Sequence, residues 1–159
     1  MNEKGENKND VRAGLSLFEL VIAVALIVLI AGVYYLVGNP AGQLAGARNS
    51  TRLFHLQTIM NGVRQNIADQ TNEQFLCASG PLPTSSKRMT SAAGGYNIAP
   101  CIIPTYLFNL PFDPIATSGH YTSNSDYDTG YNISINSTTG QITLSAPFAE
   151  LGKTISVTR

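Results

Sequence analysis

The chain has 159 residues and a formal net charge of zero, a length that corresponds to one domain. Only 13% of its residues are charged, about half the usual share. With no basic excess, nothing points to nucleic acid as the main partner.

The charges are unevenly placed. Met1 to Gly14 carries Lys4, Lys8 and Arg12 together with Glu3, Glu6 and Asp10. From Val11 to Ala68 the only acid is Glu19, and from Leu20 to Ala47 there is no charge at all. Leu15 to Val37 is almost wholly apolar, interrupted by Ser16, Glu19 and Gly32. As a helix it would be about 35 Å long, enough to cross a hydrocarbon core. It is hydrophobic on every side, so it calls for lipid or other helices all round.

Gly38-Asn39-Pro40 follows and predicts a kink or loosened turn, because Pro40 has no backbone donor to give. Helical periodicity then resumes. Leu56, Ile59, Met60, Val63 and Ile67 form one apolar stripe, and Arg48, Arg52, Gln57, Arg64 and Gln65 can occupy other faces. The helix is expected to end near Asp69 to Thr71, so residues 38–70 form an amphipathic half of one nearly continuous helix.

Thr71 to Pro104 reads as loop, with Gly80, Pro81, Pro83, Gly94-Gly95 and Pro100. Cys77 and Cys101 bracket it. No zinc-type spacing surrounds them, so for an exported chain the default is a disulfide. Such a closure would stabilise by roughly 3–4 kcal/mol in the chain-entropy model. The remainder predicts strands at Tyr131 to Asn136, Gln141 to Ser145 and Thr154 to Thr158, with a weaker one at Gly119 to Ser123. Ser137-Thr138-Thr139-Gly140 is the expected hairpin connection. The fold class is therefore α+β: a long N-terminal helix packed through its amphipathic half on a small antiparallel sheet, with residues 71–159 as a globular head.

Glu19 needs explaining. A charge in a membrane helix costs on the order of 2.5–3.5 kcal/mol at mid-depth, and less near the interface. Cleavage after Gly14 would free the amine of Leu15, which is positive at neutral pH. The Glu19 of a neighbouring subunit could neutralise it and set the stagger between subunits.

Ala13-Gly14-Leu15-Ser16-Leu17-Phe18-Glu19-Leu20-Val21 resembles the class III leader of type IV prepilins and type II secretion pseudopilins. That leader ends in Gly and is followed by an apolar run with Glu at its fifth position. The resemblance implies that residues 1–14 are a leader removed by a prepilin peptidase. It further implies that Leu15 is methylated and that Glu19 is the assembly carboxylate. An assembly ATPase and platform protein would draw subunits out of the membrane into a helical homo-oligomer. Three features depart from the family pattern: Leu15 in place of Phe, Ala13 in place of a basic residue, and Pro40 in place of a proline at Leu36. Leu110-Pro111-Phe112-Asp113-Pro114 is similar to a turn that precedes the sheet in major pseudopilins.

Two other functions compete with a pilus-like filament: a pseudopilin of a type II secretion machine, and an anchored or secreted binding domain that forms no filament. Ala45-Gly46-Ala47 resembles a signal-peptidase site and would fit the last. Asn124, Asp126 and Asp128 alternate up to Gly130 and are the calcium candidates. They do not fit the EF-hand spacing, and the preferred reading is a solvated turn with no metal and no cofactor. His55 and His120 have no nucleophile or ligand pattern around them, so no enzyme is expected. The expected location is a single-pass cytoplasmic membrane precursor with its head outside, then a periplasmic or extracellular filament.

Overall fold

The computed structural model describes residues 16–159. They fall into two compact units that meet between Pro40 and Ala41. The first is α1, Leu17–Val37. Ser16 caps it in an extended conformation, its hydroxyl accepting from the Glu19 amide at 3.2 Å. That bond satisfies one of the amides a helix start leaves without a partner. α1 stops because Asn39 precedes a proline, which disfavours helical backbone there. Pro40 then serves as the first residue of α2, Pro40–Ala68, where a missing N–H costs nothing. The expected weak point at Gly38–Pro40 is thus an interruption of the helical ladder at Gly38 and Asn39.

The second unit is a head in which α2 is covered by a five-stranded antiparallel sheet. Its strands are β1 (Lys87–Thr90), β2 (His120–Ser123), β3 (Asp126–Ile135), β4 (Ile142–Ser145) and β5 (Ser156–Thr158). The order is β1-β3-β4-β5, and β2 pairs with the start of β3. A short helix α3, Ala99–Ile102, lies between β1 and β2.

β3 is the spine of the sheet. Tyr127, Thr129, Tyr131 and Ile133 are buried at period two, as a strand with one covered face requires. β4 adds Ile142 and Leu144, and Leu144 sits opposite Ile133. These side chains meet the stripe Leu56, Ile59, Met60 and Val63 of α2, with Met89, Ile98 and Ile102 closing the core. Each fully buried aliphatic side chain contributes roughly 1.5–3 kcal/mol, so this cluster dominates the head's stability. The β3–β4 hairpin forms where expected. The Asn136 carboxamide oxygen accepts from the amides of Thr138 and Thr139, and Gly140 takes a φ of 71°.

Three expectations require correction. Residues 71–104 hold β1 and α3, which their turn-rich composition concealed. β1 exists because it pairs with β3 and buries Met89, both long-range effects. β3 begins at Asp126, five residues earlier than expected, so Asp126 and Asp128 are strand residues and only the link at 124–125 is a turn. Arg52, read as able to occupy a face away from the apolar stripe, is fully buried.

Candidate functional site

The sequence placed its site at the N-terminal end. Gly14 and Leu15 lie outside the described residues. Glu19 is in the first turn of α1, where a carboxylate is favoured by the helix dipole. Ser16-Leu17-Phe18-Glu19 has the Ser-x-x-Glu form of a capping box, a local signal that fixes where α1 starts. Every described side chain from Leu17 to Tyr35 is exposed, and none of that stretch is buried within the chain. These 19 residues are long and apolar enough to cross a membrane. An exposed apolar surface of that size points to lipid or to partner helices.

Cys77 and Cys101 form the expected disulfide, with their Cα atoms 4.9 Å apart. A second tie lies beside it. The buried Asn66 donates from Nδ2 to the carbonyls of Leu76 (3.0 Å) and Cys101 (2.9 Å). Its Oδ1 accepts from the Leu76 amide at 2.9 Å. One side chain of α2 therefore holds both cysteine-bearing segments.

The head contains a charged seam that the sequence did not reveal. Arg52 and Asp113 are both fully buried and paired, with Nε–Oδ2 at 2.7 Å and a second contact from the other arm of the fork at 3.2 Å. The remaining guanidinium nitrogen donates to Glu150 and to the Asn49 carboxamide, each at 2.8 Å. Arg48 completes the arrangement with a two-point contact to Glu150 at 2.6 and 2.8 Å. Asn49 adds bonds to the Glu150 backbone through both its amide nitrogen and its oxygen. Planar forks facing carboxylates are the geometry in which buried charges are tolerated. The hydrogen bonds from Arg48, then from Arg52, pull the Glu150 carboxyl down to about 2.

Asp113 is the acid of the Leu110–Pro114 turn noted in the sequence. It is held there by its amide bonding the Thr129 carbonyl at 2.8 Å. Gly130, at φ 73°, lies directly beneath. A Cβ added there would come within 2.8 Å of Ala116 and 3.0 Å of the Asp113 Cβ. The position thus requires glycine both for its conformation and for its space. The seam joins three segments far apart in sequence: α2, the turn before β2, and the connection between β4 and β5.

Asn124, Asp126 and Asp128 are not brought together. Asn124 accepts from the Tyr121 hydroxyl at 2.7 Å, and Asp126 pairs with His120 at 3.0 Å. Asp128 is taken up by Arg88 (2.6 Å), Ser118 (2.9 Å) and the Gly130 amide (2.9 Å). Among the described residues no group of three or more His, Cys, Asp or Glu is arranged for a metal ion. His55 is half-buried against Tyr131, 2.9 Å from its hydroxyl, and burial lowers its pKa. His120 is raised by the Ser118 carbonyl and by Asp126.

No family model, curated protein or solved structure matches this chain.

Proposed function

We propose that the protein is a structural subunit of a type IV pilus-like filament, cut after Gly14 and assembled through α1. One observation carries the reading: an apolar helix, exposed at every described side chain, whose only charge is a carboxylate in its first turn. Such a helix is at ease in lipid or in a bundle of like helices, and Glu19 is the group it cannot leave unpartnered in either. The amine freed at Leu15 supplies the opposite charge only after cleavage, which couples processing to assembly. Apolar packing between α1 helices gives cohesion and the Glu19 pair gives register.

The disulfide supports a head that matures in an oxidising compartment, on the far side of the cytoplasmic membrane. On this reading prepilin peptidase, an assembly ATPase and a platform protein act on the subunit in turn. The role of the protein is mechanical, with no reaction assigned to its own side chains.

The mass of the mature N-terminus tests the first step. A species beginning at methylated Leu15 is expected; a start at Arg48 or an intact Met1 would reject the reading. Glu19→Ala tests the second. Cleavage and membrane insertion should be normal and filament yield should fall sharply, whereas wild-type filament yield would sink the pairing role.

A further inference from the structure

A groove runs along the head between α2 and the C-terminal strand. Four cavities of about 240, 270, 400 and 600 Å³ succeed one another there. The first lies between Gly46–Leu53 and Lys153–Ser156, and the other three all border Arg159. From Gly46 to Ala68 the groove follows about 33 Å of helix.

Two independent features define what it suits. The first is charge. The head from Ala41 onward has seven lysines and arginines, of which Arg48, Arg52 and Arg88 are paired with carboxylates. Four have no ion pair among the described residues, and three of those, Arg64, Lys153 and Arg159, line this groove. Its only acidic lining residue is Glu73, at the far end. Of the head's six acids, Asp113, Asp128 and Glu150 are paired with arginines elsewhere, so the groove's lining carries three basic side chains against one acidic one.

The second feature is backbone. β5 is the edge strand of the sheet, and among the described residues nothing pairs with its outer side. Its inward bonds join Arg159 to Ile142 (2.7 and 3.0 Å) and Ile155 to Ala146 (2.9 Å). Alternation along an antiparallel ladder therefore turns the N–H and C=O groups of Ser156 and Thr158 outward. An extended chain can add to such an edge.

We infer that this groove docks an extended, acidic segment of a partner polypeptide, which adds a strand to β5 and sets its carboxylates against Arg64, Lys153 and Arg159. Single-stranded nucleic acid shares the charge but needs aromatic faces for its bases. None of the residues lining these four cavities is aromatic. The inference concerns the head alone and stands whether or not the protein forms filaments.

The full chain in neutral detergent micelles would be titrated with a synthetic peptide alternating Glu and Val. The amides of Ser156 and Thr158 would be followed by NMR. Their signals should shift, and the same peptide with Gln for Glu should bind about tenfold more weakly. Arg64→Glu and Lys153→Glu should each weaken the acidic peptide roughly three- to tenfold. Thr158→Pro removes one outward donor without touching the ladder and should weaken binding with every charge retained. Should that variant misfold, the two charge reversals decide the matter. Equal affinity for the Glu and Gln peptides, charge reversals without effect, or tighter binding of an oligothymidylate of equal charge would overturn the inference.

Discussion

α1 and α2 are consecutive helices of one chain, separated by two residues, yet they are stabilised by opposite means. α1 buries none of its described side chains, Leu17 to Tyr35, and no residue from Leu20 to its end at Val37 carries a charge. α2 buries nine residues, and three of them are Asn49, Arg52 and Asn66. The apolar helix is left uncovered by the described residues. The polar-containing helix has its environment built around it by the sheet. Hydrophobicity alone would therefore rank the two wrongly for burial within the chain. What α2 has, and α1 lacks, is partners distant in sequence that satisfy its polar groups.

Breaking the seam should separate the two helices most. Arg52→Ala leaves Asp113 buried without its partner, which costs about 3–5 kcal/mol. Near-UV circular dichroism of the head should collapse, while α1 stays helical in micelles. A head that melted at the wild-type temperature would show the pair to be dispensable. Replacing both Arg52 and Asp113 by apolar residues should cost less than Arg52→Ala alone, because no charge is left stranded.

Removing the disulfide with Cys77→Ser and Cys101→Ser should cost about 3 kcal/mol for a closure of 24 residues. Asn66 continues to hold both segments, so the reduced head should still unfold as one cooperative unit at a lower temperature. Loss of cooperativity would mean that the covalent tie, and not the Asn66 bonds, organises the loop.

A smaller effect follows from Glu150. Its folded carboxyl lies at about 2, below the usual 4.5, so its contribution is complete above that usual value. The contribution is lost as pH falls from about 4.5 towards about 2. Thermal unfolding of the head should show this acid-dependent loss, and Glu150→Gln should flatten the profile across that window. An unaltered profile would place the acid sensitivity in other carboxylates.

Local features of the sequence predicted much of this architecture. The apolar run gave α1, the proline placed the interruption, the stripe Leu56 to Ile67 gave the core face of α2, and alternation gave β4 and the second half of β3, with β5 and β2 as further strand candidates. The cysteines, the only two in the chain, gave the disulfide. Each of these rests on a period or a residue type that operates within a few positions. β1 and α3 were missed because four residues carry too little periodicity to stand out in a turn-rich segment. Ser16 could have been found, since the Ser-x-x-Glu pattern was in plain view.

Arg52 was beyond local reading. A cation on a helix is ordinarily a solvated one, and nothing within a turn of Arg52 announces a carboxylate. Its partners Asp113 and Glu150 lie 61 and 98 positions away. Only the packing of the turn before β2, and of the β4–β5 connection, against α2 brings them within reach. The same holds for the groove, where Arg64 and Arg159 meet across a helix and a strand. The sequence by itself determined which segments are helix, strand and apolar surface, because those follow from the spacing of side chains along one backbone. The tertiary structure alone decided which charges are neutralised and which remain exposed, because pairing depends on distances between segments that no local pattern encodes.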